Sequence, residues 1–290
     1  MLGLESPKHP LVTVIKAKDY ETATILQDVK IVMNLYRITL KSSNYHGKIK
    51  YGKNTYDYEA GTLIFSNTEQ VMEYESGFEK GDENIEGWTL VFHPDLIRKH
   101  NLVNKINQYS FFNYEVNEAL HLSEKERKTI EELLAKVIRE YSQNLDRHSQ
   151  HLIISNIELL LDYCLRYYDR QFYTRTNLNN DLVSKFEKLL IEYYESENPN
   201  KKGVPSVNYC AKSLNLSPNY LSDLLKKETG KTTQEHIHLF VIEKAKNKLL
   251  NSKDSISEIG YALGFEYPQH FSNLFKSKTG LSPSEFKNLN

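Results

Sequence analysis

Residues 214–230, LNLSPNYLSDLLKKETG, return as residues 263–280, LGFEYPQHFSNLFKSKTG, and this pair decides the fold. Just upstream, Val207-Asn208-Tyr209-Cys210-Ala211-Lys212-Ser213 lines up with Ile256-Ser257-Glu258-Ile259-Gly260-Tyr261-Ala262 at an offset of 49, which becomes 50 after one inserted residue. Each copy has the chemistry of a helix-turn-helix. A short amphipathic helix needs a small residue where the next helix crosses it, and Ala211 and Gly260 stand there. The sharp turn needs a residue that tolerates positive φ, supplied by Asn215 and Gly264. Ser217-Pro218 opens the second helix of the first copy as N-cap and N1, and Tyr267-Pro268 opens its counterpart. Leu221, Leu224 and Leu225 turn inward, as do Phe271, Leu274 and Phe275. Asn219, Ser222, Asp223 and Lys226 are left outward in one copy, and Gln269, Ser272, Asn273 and Lys276 in the other. Gly230 and Gly280 suit C-terminal caps.

Between the copies, residues 233–250 contain no helix breaker, and about 17 residues rising ~1.5 Å each make a strut of ~25 Å. Such a strut holds two outward helices about one DNA turn, ~34 Å, apart on one face of a duplex. Further toward the N-terminus, residues 182–194 begin the same domain and residues 195–205 (ESENPNKKGVP) read as a loop inside it. The polar residues 174–181 (TRTNLNND) read as the linker ahead of it. Residues 149–173 predict a helix apolar nearly all round, which must be covered by its own domain or by a second subunit. Ser123 with Glu126 is a capping box, followed by Ile130, Leu133, Leu134, Val137, Ile138, Tyr141 and Leu145 at helical spacing. Before that the pattern is β: residues 31–40 (IVMNLYRITL), 48–51, 62–66 (TLIFS), 71–74 and 88–92 (WTLVF), with turn formers between them. Short strands with regular turns suggest a small barrel or sandwich. The fold class is therefore α+β. A sensor-sized domain over 1–173 and a linker over 174–181 precede an all-α domain over 182–290, with helix-turn-helix units at about 206–230 and 255–280.

Composition narrows the function. The 290 residues carry 37 basic and 38 acidic side chains, 26% charged and 11% aromatic with 20 Tyr, which excludes general disorder. The near-zero net charge hides an asymmetry: residues 201–290 hold 13 Lys and 8 acids, a net +5, against −6 for the rest. A basic segment behind an acidic one points to a polyanion partner. No apolar run approaches the ~20 residues that cross a bilayer, and residues 1–10 show no signal-peptide pattern. The two cysteines, Cys164 and Cys210, have no metal-ligand spacing and fit reduced, buried side chains of a cytoplasmic protein.

Residues 255–287, SISEIGYALGFEYPQHFSNLFKSKTGLSPSEFK, resemble the signature of AraC/XylS-type transcriptional regulators, and residues 214–237 resemble that family's first helix-turn-helix. The front part, with GTLIF at 61–65 and GWTLVFHP at 87–94, is more loosely similar to the family's cupin-like sensor domain. The resemblance implies a cupin-like β-barrel with a helical pair, followed by two helix-turn-helix units that enter adjacent major grooves of double-stranded DNA. Asn219, Ser222, Asp223, Gln269, Ser272 and Asn273 would then face base edges. Lys226, Lys227, Lys276 and Lys278 would approach phosphates, and His270 lies beside that face. Asn and Gln suit adenine, an acid accepts from cytosine N4, and phosphate contacts position without specifying. Family members often carry arginine at the places of Asp223, Asn273 and Val241; here no arginine follows Arg175, so the usual Arg–guanine contacts are missing and an A·T-rich site is expected. The resemblance further implies an activator acting as a homodimer through residues 123–145 and 149–173, with RNA polymerase as a partner and a small-molecule effector in the front domain.

Two other classes remain open at this level. A cupin-type metal enzyme with a helical tail requires a His-x-His…Glu…His set. His46, His93, His100, His121, His148 and His151 are scattered, and His236 with His238 is the one such pair, on a helix where i and i+2 diverge. No cofactor and no catalytic constellation are expected. A protein-interaction scaffold is the other alternative, distinguished by a partner protein and no base preference. Tyr36, Arg37, Tyr56, Tyr58 and Trp88 are candidates to line an effector pocket, but packing explains each equally well, so no effector residue is assigned.

Overall fold

The computed structural model describes residues 7–16, 29–41, 50–51, 54–55, 61–74, 87–115, 118–174 and 176–288. The chain divides into two compact units, Met1–Thr174 and Arg175–Asn290.

In the first unit the strands are β1 (Val12–Lys16), β2 (Val29–Val32), β3 (Tyr36–Lys41), β4 (Lys50–Tyr51), β5 (Asn54–Thr55), β6 (Thr62–Ser66), β7 (Val71–Tyr74), β8 (Gly87–Phe92) and β9 (Leu120–His121). Five form an antiparallel sheet in the order β1-β8-β3-β6-β9, while β2 pairs with β7 and β4 with β5. Among the described residues the sheet is open, with β1 and β9 at its edges, so the expected closed barrel is not what the described strands make. Two further expectations need correction. Residues 31–40 are not one strand: the chain breaks after Val32, and Met33 offers its carbonyl to the Glu69 amide (2.9 Å) before β3 begins in another sheet. Within residues 1–28, where no strand was expected, Val12–Lys16 is an edge strand of the main sheet.

Alternation along the strands separates two faces. Tyr36, Ile38, Leu40, Leu63, Phe65, Trp88, Leu90 and Phe92 are buried on one, where pairing brings Ile38 opposite both Leu90 and Phe65. Phe111 and Phe112, on a short 3₁₀ turn (Ser110–Asn113), close over this face, with ring centroids 4.4 and 5.6 Å from Phe65. The other face is polar yet buried: Thr39, Lys41, Thr62, Ser66 and Thr89, with the Thr39 and Thr89 hydroxyls 3.3 Å apart. Helices α1 (Pro94–Ile97), α2 (Leu102–Lys105), α3 (Glu124–Ser142) and α4 (Ser149–Thr174) follow. The capping box at Ser123 and Glu126 is formed. Gln171 of α4 brackets β9, accepting from the His121 amide (2.8 Å) and donating to the carbonyl of Ala119 just before the strand (3.1 Å). Arg170 adds a bond to the His121 carbonyl (2.7 Å), so the exposed edge of the sheet is occupied by side chains.

The second unit is all-α: α5 (Thr176–Glu195), α6 (Asn198–Lys202), α7 (Val207–Ser213), α8 (Pro218–Thr229), α9 (Thr233–Asn251), α10 (Ile256–Ala262), α11 (Pro268–Thr279) and α12 (Pro283–Asn288). Residues 176–181, read from sequence as part of a loop-like linker, are the first turns of α5, and the expected loop 195–205 contains α6. The two turns carry positive φ at Asn215 (57°) and Gly264 (91°), and the two C-caps at Gly230 (77°) and Gly280 (80°) are left-handed. The repeat runs further than the sequence alignment above. Thr229 and Thr279 donate to the carbonyls of Leu225 (2.7 Å) and Phe275 (2.8 Å) and accept from the amides of Lys231 and Leu281. Thr232 with Glu235 then caps α9, as Ser282 with Glu285 caps α12. Each copy is therefore three helices, and α9 belongs both to the first copy and to the connection.

The second turn is held by backbone. Val204 donates to the Gly264 carbonyl (3.1 Å), Tyr193 to the Gly203 carbonyl (2.8 Å) and Tyr194 to the Leu263 carbonyl (3.4 Å). A Cβ on Gly264 would lie 2.6 Å from the Gly203 carbonyl carbon and 2.8 Å from the Val204 nitrogen, whereas one on Gly280 would meet nothing within 4 Å. Gly264→Ala is therefore expected to destabilise by about 2–4 kcal/mol, through strained φ and a backbone clash together, and Gly280→Ala by about 1–2 kcal/mol through φ alone. The helical circular dichroism signal in urea measures both; equal midpoints would remove the clash from the account. A second expectation concerns Lys41, which burial, and then the Arg37 charge, pull down from 10.5 to about 7. Between these values the unfolded chain holds a proton that the folded chain lacks, so stability rises with pH across that window. The thermal midpoint should climb more steeply from pH 7 to pH 9 in the unaltered protein than in Lys41→Met.

Candidate nucleic-acid interface

Helix α8 buries Tyr220, Leu221, Leu224 and Leu225, and α11 buries Phe271 and Phe275, with Leu274 half-buried. The opposite sides carry the residues expected to face bases. Asn219, Ser222 and Asp223 are half-buried on α8; on α11, Gln269 and Asn273 are exposed and Ser272 is half-buried. Lys226, Lys227, Lys276 and Lys278 are all exposed, in the last turns of the two helices, where a cation also complements the helix dipole. His270 is exposed too, its ring 5.3 Å edge-on from that of Tyr267.

Hydrogen bonding restricts what the serines can do. Ser222 donates to the hydroxyl of fully buried Thr233 (3.1 Å), and Ser272 donates to the Pro268 carbonyl (3.0 Å). With the proton spent, each hydroxyl meets a ligand as an acceptor. The two caps differ as well: Ser217 accepts from the Tyr220 amide (3.1 Å), whereas Tyr267 makes no side-chain cap and stands 54% exposed at the tip of α11. Read from sequence as the opening of α11, Tyr267 is thus an exposed aromatic beside the candidate face rather than a cap.

The connecting helix α9 has 19 residues, about 28 Å at 1.5 Å each, and packs against α8, α10, α11 and α12. Its inner face is Ile237, Val241, Ile242, Ala245 and Leu249. His236 and His238 do not act as a ligand pair. His236 Nε2 and the Thr229 hydroxyl lie 2.6 Å apart in a hydrogen bond, and the ring lies edge-on to Phe186. Burial, then Lys231, lowers the His236 pKa; burial, then Lys278, lowers that of His238.

In the first unit, His93 and His100 accept the amides of Asp95 and Leu102 through Nδ1, which uses them as local caps. His46 lies outside the described residues, and among those described no group of three His, Cys, Asp or Glu could hold a metal ion. Of the pocket candidates, Tyr36 stacks on Phe92 (5.1 Å) and Trp88 is buried, while Arg37 binds Thr39 (3.2 Å); Tyr56 and Tyr58 lie outside the described residues. No described helix is long and apolar enough to cross a membrane.

Residues 210–288 match a family described as a helix-turn-helix domain. The C-terminal region is an AraC-type helix-turn-helix domain. This AraC-type region is 37% identical over 109 residues to a transcriptional regulatory protein, YesN, of Bacillus subtilis, covering 37% of this chain and 28% of that protein. It is 40% identical over 81 residues to the Msm operon regulatory protein of Streptococcus mutans (28% of this chain, 29% of the relative). It is 38% identical over 72 residues to the transcriptional activator RhaS of Escherichia fergusonii (25% and 26%). The chain thus spans less than a third of the length of each of these relatives. Among solved structures, the C-terminal domain of the response regulator AraT from Geobacillus stearothermophilus is 26% identical, with 38% of this chain and 85% of that one covered at a TM-score of 0.34.

Proposed function

We propose that the chain is a cytoplasmic, sequence-specific transcriptional regulator, an activator, that binds double-stranded DNA through α8 and α11. The observation that carries this reading is the duplicated unit itself, with left-handed turns, outward polar helices and a braced strut of α9. Asn219, Ser222, Asp223, Gln269, Ser272 and Asn273 read bases, and the four lysines hold phosphates, with His270 beside them. Because no arginine follows Arg175, guanine loses its usual bidentate partner and the site is A·T-rich. The first unit is the sensor: its antiparallel sheet, covered by a helical pair, supports a cupin-like module in which an effector biases the DNA-binding unit. RNA polymerase is the partner that an activator of this type requires.

Dimerisation through α4 completes the reading. Leu160 and Leu161 are fully buried and belong to the core, so they are not the interface. Leu152 and Leu159, two turns apart and so on one face of α4, are 43% and 45% exposed. Leu159→Asp should leave the fold intact and convert a dimer to a monomer in sedimentation; an unchanged dimer would remove α4 from the interface.

The function is tested by selecting sheared genomic DNA with the full-length protein at ~150 mM salt, where binding by phosphate contacts alone is suppressed. An A·T-rich motif of two boxes is expected, and replacing Lys276 and Lys278 by Ala should flatten the log–log salt dependence by about 1.8. Absence of any enriched motif sinks the regulator reading in favour of a scaffold.

A further inference from the structure

The two copies are not equivalent where they face DNA. Superposing them by the offset of 50 sets Asn219 against Gln269, Asp223 against Asn273, Lys227 against Ser277 and Glu228 against Lys278. Helix α8 therefore nets zero charge, two lysines against two acids, while α11 nets +2 with no acid at all. Exposure differs in the same sense: all three reading positions of α8 are half-buried, whereas on α11 Gln269 and Asn273 are exposed and Ser272 alone is half-buried. The first copy is also tied down at its reading face. Ser222 binds Thr233 of α9, and the equivalent of Thr233 in the second copy is Pro283, which has no hydroxyl to offer.

These differences act on separate parts of recognition. Affinity for a duplex comes mainly from protein cations that neutralise phosphates and release the condensed counterions, and α11 carries two lysines with no acid on the same helix. A carboxylate on a reading face does the opposite. Near phosphates it repels, and in the major groove it is accepted only where a base presents an amino donor, cytosine N4 foremost; the N7 and O6 of guanine and the O4 of thymine are acceptors and reject it. Discrimination by such repulsion lowers affinity for every wrong sequence rather than raising it for the right one.

Building on the DNA-binding reading above, we propose that the copies divide recognition between them. The second, through Gln269, Asn273, Lys276 and Lys278, anchors the protein and supplies most of the affinity. The first, through Asp223, is a gate that admits a box with cytosine at one position and turns away others.

The test compares full-length variants on the two-box duplex enriched in the selection and on a scrambled duplex of equal length, by fluorescence anisotropy. Gln269→Ala and Asn273→Asp should each weaken binding to the selected duplex about tenfold or more. Asp223→Asn should tighten binding to the scrambled duplex threefold or more and to the selected duplex less, and repeating the selection with it should erase the cytosine in the first box. Division of recognition is overturned if Asp223→Asn weakens binding as much as Asn273→Asp does, or if cytosine persists without the carboxylate. Asn273 is exposed, so its substitution decides the anchor half without disturbing the fold, and Asp223→Ser repeats the gate half should the Asn variant unfold. A wild-type protein that enriches no motif would overturn the DNA-binding reading itself, and this proposal with it; a wild-type motif with the opposite variant pattern overturns this proposal alone.

Discussion

The contact on which the DNA-binding unit depends is a backbone touching a backbone. At Gly264 the turn of the second copy lies against residues 203 and 204, close enough that even a methyl group is excluded. The Val204 amide joins the two segments through the Gly264 carbonyl, while the Tyr193 and Tyr194 hydroxyls tie the Gly203 and Leu263 carbonyls, one on each segment, to α5. Those donors come from α5 and the segment behind α6, and α5 also packs on the first copy, with Phe186 against His236 and Tyr193 against Tyr209. One helix thus touches both copies, and α9 joins them along its length. Two independent connections between two rigid modules leave little freedom for one to rotate against the other.

Much of this was legible in the residues because turns and caps have narrow chemical requirements. A position that needs positive φ accepts Gly or Asn and little else, and a capped helix start accepts Ser or Thr, so Asn215, Gly264, Gly230, Gly280 and Ser217 announce themselves. That the repeat extends to a third helix was not legible, since the most informative pair is His236 against Phe286. One hydrogen-bonds Thr229 while the other stacks edge-on with Phe275 (5.4 Å), two solutions to one packing position that share no chemistry. Residues 176–181 failed for a different reason. Thr and Asn are weak helix formers, but the deficit is a few tenths of a kcal/mol each, and burial of Phe186, Leu190 and Tyr193 later in α5 outweighs it. The roles of the outward residues toward DNA are read from chemistry and placement, and here sequence and structure add to each other: sequence names Ser222, and structure shows that its proton is already used.

The first unit was less legible because its strands are short and their partners distant. Residues 31–40 look like one strand in composition, yet the chain changes sheets inside them, and no local signal distinguishes a long strand from two short ones. The edge strand Val12–Lys16 has an ordinary β sequence whose meaning lies in its register with β8. The helical pair is clearer. Glu126 and Arg170 join α3 to α4 (2.9 Å), and Gln171 with Arg170 occupies the β9 edge, so α4 serves as cover for the sheet on one side while leucines remain bare on another.

The brace at Gly264 has an evolutionary corollary. Because it is made by main-chain atoms, two glycines and the tyrosines of α5 rather than by the reading helices, the distance between those helices is insensitive to the identity of the side chains they display. A lineage can exchange Asn219, Asp223, Gln269 or Asn273 freely and so rewrite the letters it responds to, while the gap between the two words stays the same. Relatives built this way would drift in vocabulary but not in metre.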